Sequence, residues 1–352
     1  MSESAREAEA LIERRGHAGV ITLNRPKALN ALTLTMVRLM AAALDAWEND
    51  DRVTRVVLGG AGDKAFCAGG DIRLLYEMGK AGDHAGQLAF WSEEYRLNAR
   101  IRAYPKPIVA LIDGIDMGGG VGVSINASHR VAGDRFVFAM PEVGIGFFPD
   151  VGATFFLPRL PHRMGWYFAL TGLRAKAADA VAIGLAQAYV PSSAFAGLAR
   201  ALEQDAPVEE TLRRFAVTPV SSTLAQEADA LAAAFRGDSR EAILASLEEA
   251  EGRGLAFARP ALAAMREKSP TSQAIALKQV SIGGGLDFAE AMRTEYRIVS
   301  RIARGHDFYE GVRAVIIDKD NRPQWAPAPS AADVDAYFAP LGKEELVIPG
   351  HG

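Results

Sequence analysis

Apolar residues in the first part of the chain fall into short β-branched runs, separated by glycine-rich turns and helical stretches. Leu11–Arg14 and Val20–Leu23 predict two strands joined by the turn Arg15-Gly16-His17-Ala18-Gly19. Thr33 predicts the cap of a helix whose apolar face is Met36, Leu39, Met40, Ala43, Leu44 and Trp47, recurring at three- and four-residue steps. Val53–Leu58 and Ile108–Ile112 predict two more strands, each leading into a glycine-rich turn and then a helix. This ββα, βα repetition predicts an α/β fold of parallel strands with helices outside. From Val208 onward the chain is rich in Ala, Glu, Leu and Arg, and Leu224–Phe235, Arg240–Glu249, Ser272–Val280 and Asp287–Ala303 predict amphipathic helices. The expected division is therefore a core over residues 1–205 and a helical region over residues 206–352, with a soft boundary containing a helix between Pro191 and Pro219. Beyond Asn321, Pro323, Pro327 and Pro329 predict an extended arm.

Composition narrows the class. The 352 residues carry 39 Lys and Arg against 43 Asp and Glu, a formal net charge of −4. No global basic field draws in nucleic acid or an anionic membrane. With 49% hydrophobic and 23% charged residues the chain reads as globular. Its one cysteine, Cys67, excludes a disulfide framework and a Cys-rich zinc site. The stretch Met1–Ala10 is polar with charges of both signs, which predicts neither a secretory signal nor a transit peptide. No apolar run is long enough to span a bilayer. A soluble cytoplasmic protein is expected.

Common cofactor motifs fail on spacing. Gly118-Gly119-Gly120-Val121-Gly122-Val123 lacks the last glycine of a dinucleotide fingerprint. Gly79-Lys80 and Gly342-Lys343 lack the P-loop context, and neither H-E-x-x-H nor G-x-S-x-G occurs. The six histidines are scattered, so no metal site is expected, although carboxylate-only sites stay open at this level.

Two turns and one acidic pair carry chemistry. Ala65-Phe66-Cys67-Ala68-Gly69-Gly70-Asp71-Ile72-Arg73 and Asp113-Gly114-Ile115-Asp116-Met117-Gly118-Gly119-Gly120-Val121-Gly122 each join a predicted strand to a predicted helix. Glycine lets backbone N–H groups approach a ligand, and a helix N-terminus adds free donors, so two such turns can form an oxyanion hole. Tight strand-to-helix packing uses glycine equally well, and composition alone favours packing for either turn. Glu142 and Asp150 lie in the otherwise apolar Phe138–Gly152 stretch. A carboxylate in apolar surroundings has a raised pKa suited to acid–base work, while Asp150 also reads as a simple helix cap.

These turns, together with Asn24-Arg25-Pro26-Lys27-Ala28-Leu29-Asn30-Ala31-Leu32 and Pro141-Glu142, resemble the crotonase, or enoyl-CoA hydratase/isomerase, superfamily. The resemblance runs from about Val20 to Trp325 and implies a crotonase-like spiral of ββα repeats with a helical C-terminal region. It implies binding of acyl-CoA, with the thioester oxygen held by the backbone N–H groups of Gly70 and Gly119. It also places Ala28, Ala68 and Ile72 along the substrate. Where a hydratase carries its first catalytic glutamate this chain has Gly122; the second corresponds to Glu142, and Asp150 stands where a hydratase has glycine. That exchange is the pattern of the 3-hydroxyisobutyryl-CoA hydrolase subfamily. Gly69-Gly70-Asp71-Ile72-Arg73 agrees with it, as does Glu94 of Glu93-Glu94-Tyr95, which matches a substrate-contacting position. The C-terminal signature agrees too: Glu295-Tyr296-Arg297, then Gly305-His306-Asp307-Phe308-Tyr309-Glu310-Gly311-Val312-Arg313-Ala314, then Asp318-Lys319-Asp320.

The resemblance therefore implies hydrolysis of a short 3-hydroxyacyl-CoA in valine breakdown. Glu142 and Asp150 would be catalytic, and no cofactor would be needed beyond the CoA of the substrate. The alternatives are an enoyl-CoA hydratase or isomerase, and a non-catalytic acyl-CoA-binding protein. Cys67, His129 and His306 read as packing or structural residues. Lys27, Lys64 and Arg73 are candidates for the CoA phosphates. Superfamily membership further implies a homo-oligomer built through the C-terminal helices.

Overall fold

The chain opens with a hairpin. Strands β1 (Ala10–Arg15) and β2 (Ala18–Leu23) pair antiparallel, Arg15 against Ala18, so the turn is only Gly16-His17. Gly16 has φ +54°, and a Cβ there would lie 2.2 Å from the carbonyl oxygen of Glu203, so no other residue fits. The computed structural model describes residues 8–219 and 221–349. Most of the polar N-terminal stretch read above thus lies outside the described residues.

Eight more strands follow: β3 (Arg55–Gly60), β4 (Ala65–Cys67), β5 (Ile108–Ile112), β6 (Ile115–Met117), β7 (His129–Ala132), β8 (Val137–Ala139), β9 (Ala175–Lys176) and β10 (Ala188–Tyr189). They form a six-stranded sheet in the order β1-β2-β3-β5-β7-β10 and a four-stranded sheet in the order β4-β6-β8-β9. From β2 to β10 the larger sheet is parallel. Successive strands alternate between the sheets: β3 then β4, β5 then β6, β7 then β8. Each ββα turn thus adds one strand to each sheet and advances by one step, which is the spiral expected from the repetition.

The chain divides into two compact units that alternate along the sequence instead of meeting at one boundary. One comprises residues 1–70, 96–138 and 175–222, and the other residues 71–95, 139–174 and 223–352. In the first, Val57, Val109, Val131 and Ala188 from the strands, with Val190 just after β10, pack with Leu198, Leu202, Val208 and Leu212. Those leucines lie on the helices Phe195–Leu202 and Val208–Phe215, which fill the stretch read as a soft boundary. The helix Leu34–Glu48 is capped by Thr33, whose hydroxyl accepts from the Met36 amide at 3.2 Å. Its buried face is the expected one except that Val37 replaces Leu39, which is only half-buried.

In the second unit the predicted helices are present with shifted ends: Arg240–Gly252, Pro270–Gly283 and Phe288–Ile302, capped by Ser239, Ser269 and Asp287. Leu224–Phe235 is not one helix. It breaks at Glu227, whose carboxylate accepts from the amides of Ala256 and Phe257. The arm after Asn321 is extended as far as Ser330, fixed by Trp325 Nε1 donating to the Glu267 carbonyl at 2.8 Å. It then enters a helix, Ala331–Phe338, that the proline spacing did not reveal; a Ser330–Asp333 capping box starts it.

Candidate active site

The glycine turns belong to the first unit. After β4 the chain runs Ala68-Gly69-Gly70; the Ala68 amide donates to the Leu29 carbonyl at 3.0 Å, and the Leu32 amide to the Gly69 carbonyl at 2.8 Å. Gly69 takes φ +115° and Gly118, after β6, takes φ +49° with ψ −125°, both costly for a side-chain-bearing residue. A Cβ on Gly69 would lie 3.8 Å from the Gly119 amide nitrogen, so the two turns lie side by side. Gly119 is the first residue of the helix Gly119–Ile125, where an amide has no intrahelical acceptor. Close packing is served as well: a Cβ on Gly120 would meet the Cys67 carbonyl oxygen at 2.3 Å. Close packing is therefore present in these turns, and the Gly119 amide stands at a helix start beside Gly69.

Other residues of this unit sort by what they touch. Gly122 is buried within its helix, which carries no carboxylate. Asp116, beneath the second turn, accepts from the Ser124 hydroxyl at 2.6 Å, and burial pushes its carboxyl up to about 7. Cys67 is buried with its sulfur 3.6 Å from the Gly69 carbonyl, a packing role. His129 sits between the Ser128 hydroxyl and Glu209. Ala28 is exposed and Ala68 half-buried. Lys27 and Lys64 line one cavity of about 260 Å³ with Pro26, Leu29 and Asn30.

The acids belong to the second unit. Glu94 lies on the helix His84–Arg102, Glu142 opens the 3₁₀ turn Glu142–Ile145, and Asp150 follows that turn. All three are buried. Asp150 does not cap the next helix, Ala153–Phe156; Gly152 holds the cap position, and Asp150 Oδ2 instead accepts from the Tyr95 hydroxyl at 2.8 Å. Burial pushes Asp150 up to about 7 against the Tyr95 hydrogen bond, which favours its charged form. Burial, then the charge of Asp150, raises Glu142 well above the usual carboxylate range. Glu94 is raised by burial and by the charges of Asp150, Glu295 and Glu142. Among the described residues, Glu142 Oε2 and Glu94 Oε1 have no hydrogen-bond partner. Buried acceptors are normally paired, and these two belong to acids close enough for the charge of Glu142 to raise Glu94.

The low polarity around the acids has a visible source. Phe147 and Phe148 separate Glu142 from Asp150 in sequence, and Trp91 stacks on Phe147 with centroids 5.5 Å apart. Phe308, from the C-terminal signature, packs against both Trp91 and Phe147. The signature helix His306–Val312 lies on the Glu142 turn so closely that a Cβ on Gly146 would fall 1.9 Å from the Asp307 carbonyl oxygen. One on Gly311 would fall 2.3 Å from the Ile145 carbonyl carbon. Asp307 accepts from the Ser269 hydroxyl and the Ala326 amide, and His306 contacts the Gln324 carbonyl at 2.9 Å. Arg313 pairs with Glu310, Asp318 and Asp320. The signature is thus a brace for the Glu142 turn and an anchor for the arm, and His306 takes the holding role expected of it.

Two residues near the acids went unassigned in the sequence. Tyr95 adjoins Glu94 and holds Asp150. Glu295 is buried on the apolar face of Phe288–Ile302, among Met292, Ile298 and Val299. An acid at a position where helical spacing demands an apolar residue was the available signal. Ile72 opens the helix Ile72–Lys80, half-buried, and Arg73 donates to the Ile316 carbonyl at 2.8 Å. Among the described residues no group of three or more His, Cys, Asp and Glu is arranged to hold a metal ion, and no helix is long and apolar enough to cross a membrane.

Comparison with known proteins places the chain in a family. The family model described as enoyl-CoA hydratase/isomerase matches residues 18–338, and the chain belongs to that family, with its crotonase-type α/β fold and helical C-terminal region. It is 43% identical to a mitochondrial 3-hydroxyisobutyryl-CoA hydrolase of Xenopus tropicalis over 361 residues, covering 99% of this chain and 93% of the relative. It is 42% identical to the human protein of the same name, covering 96% of this chain and 90% of that one. Among solved structures it resembles a carnitinyl-CoA dehydratase from Mycobacterium thermoresistibile, with TM-score 0.91 and 41% identity over 97% of this chain and 99% of that one. An enoyl-CoA hydratase from Rhodobacter sphaeroides matches with TM-score 0.90 and 41% identity over 97% and 100%.

Proposed function

We propose that this chain hydrolyses the thioester of a short 3-hydroxyacyl-CoA, 3-hydroxyisobutyryl-CoA foremost, to the free acid and CoA. The observation that carries this reading is the pairing of Glu142 and Asp150 in one buried acidic cluster, with an unpartnered oxygen on Glu142, while position 122 is glycine. A two-glutamate hydration needs a carboxylate at that position. The names of the relatives at 42–43% identity support hydrolysis.

In this reading the Gly70 and Gly119 amides take the thioester oxygen and hold the oxyanion, where losing one donor typically costs about 10²–10³ in rate. Glu142 acts on the carbonyl carbon, through a water it deprotonates or by direct attack to give a mixed anhydride. The C–S bond breaks and the thiolate leaves with a proton. Asp150, held by Tyr95, binds the 3-hydroxyl or passes that proton. The raised pKa values serve this division, because burial of neighbouring carboxyls keeps them from all ionising together. Lys27 and Lys64 are the proposed contacts of the CoA phosphates, while Arg73 is occupied at Ile316. Ala28, Ala68 and Ile72 line the substrate.

Single-turnover hydrolysis in H₂¹⁸O with hydroxylamine trapping tests the route of Glu142: label in its carboxyl group, or a trapped Glu142 hydroxamate, marks the mixed anhydride, and label only in the acid product with nothing trapped on Glu142 marks activated water. Loss of rate in neither Glu142→Gln nor Glu142→Ala would overturn the reading. A place in valine breakdown, and self-association through the C-terminal helices, are part of the same proposal. So is a cytoplasmic location; the vertebrate relatives carry "mitochondrial" in their names, and cell fractionation decides between the two.

A further inference from the structure

Glu295 takes no part in the chemistry above, yet it is fully buried on a helix face otherwise apolar. Its carboxylate ties down the segment after Asp150: Oε2 accepts from the Gly152 amide and Oε1 from the Thr154 amide, each at 2.8 Å, and the Thr154 hydroxyl bonds it as well. Those two amides flank the start of the short helix Ala153–Phe156, where amides lack intrahelical acceptors. The segment they belong to is strained. Val151 has φ +55° and Gly152 φ +103°, and a β-branched residue in the left-handed region is rare unless its surroundings force it. Val151 is itself completely buried. Gln279 adds a second tie, its amide donating to the Pro149 carbonyl at 2.5 Å and to the Thr154 hydroxyl at 2.7 Å. The residue presented by this tied segment is Asp150.

We propose that Glu295 is a positioning residue, whose carboxylate clamps the strained Val151–Gly152 turn and thereby fixes the direction in which Asp150 presents its own carboxylate. The proposal rests on the reading of Asp150 as a working group. Glutamine at position 295 keeps the shape but offers one acceptor oxygen and turns an NH₂ toward the other amide, so one of the two ties is lost. A small misplacement of a working group typically lowers rate by about 10²-fold, without a matching loss of binding.

The test uses the full chain and its variants Glu295→Gln, Asp150→Asn and the double variant. Amide hydrogen exchange is read at Gly152 and Thr154, and thiol release from 3-hydroxyisobutyryl-CoA is read for kcat and KM. The clamp predicts slow exchange at both amides in the unmodified chain and at least about tenfold faster exchange at one of them in Glu295→Gln. It predicts a kcat lowered by about 10–100-fold with KM changed by less than about threefold. It also predicts that the double variant is no slower than Asp150→Asn alone, because Glu295 acts through Asp150. Fast exchange at both amides in the unmodified chain overturns the clamp even if no variant folds. Additive losses in the double variant overturn it too, leaving Glu295 a role in stability alone. Absence of thiol release from the unmodified chain overturns the hydrolase reading instead, and the exchange data still decide the clamp.

Discussion

Glu142 bears the reaction in this account, and its environment sets how it must behave. Burial and the charge of Asp150 both hold its proton on, so its oxygen without a protein partner gains a full negative charge only at a cost. Glu142→Gln removes the base or nucleophile while keeping size and burial. It is expected to lower kcat by about 10³-fold or more, with CoA-product affinity by calorimetry unchanged within about threefold. The same burial makes stability depend on pH. Asp150, held up to about 7, binds a proton in the folded chain that the unfolded chain has shed above about pH 4.5. Its contribution is complete below the unfolded value and is lost as pH rises through about 7, at about 1.4 kcal/mol per pH unit while the proton is held. Urea midpoints measured at about pH 5, 6 and 7 should fall steadily, and Asp150→Asn should flatten the slope by one proton's share. A slope unchanged by that substitution would mean that Asp150 is ionised in the folded chain.

At the scale of elements, the Glu142 turn depends on backbone held against backbone. Gly146→Ala places a methyl against the Asp307 carbonyl at a positive φ, and is expected to cost about 2–4 kcal/mol, read as a lower urea midpoint, with activity falling in the fraction that folds. Gly119→Pro removes the proposed oxyanion donor and should leave no measurable thiol release in protein whose circular dichroism is native. Local elements were legible where local chemistry decides them. Thr33 capped its helix, Ile108–Ile112 was a strand from end to end, and the alternating glycine turns carried the spiral. What escaped was long-range. Glu227 breaks a helix because it serves amides about thirty positions away, at Ala256 and Phe257. Leu39 yields its core place to Val37, which lies nearer the centre of the stripe formed by Met36, Met40, Leu44 and Trp47. Among the acids, Glu142, Asp150 and Glu94 were named from a motif, while Tyr95 and Glu295 gain meaning only when the segment after Asp150 is brought to them.

For the whole molecule, the proposed oxyanion donors Gly70 and Gly119 belong to one unit, and the buried acids Glu94, Glu142 and Asp150 belong to the other. Neither a metal nor a redox group enters the proposed steps, so dialysis against EDTA is expected to leave the rate unchanged, and restoration of a lost rate by added divalent cation would contradict those steps. The family hosts both hydration and hydrolysis on one fold, so fold alone does not choose between them. In the proposed reading the choice falls on glycine at position 122 together with an acid at position 150. The most direct measurement follows free thiol and enone absorbance together, with purified protein and either 3-hydroxyisobutyryl-CoA or crotonyl-CoA. The account predicts stoichiometric thiol release from the hydroxyacyl thioester, lost in Asp150→Asn, and no decay of enone absorbance with crotonyl-CoA. Decay of the enone without thiol release would contradict it and make the chain a hydratase.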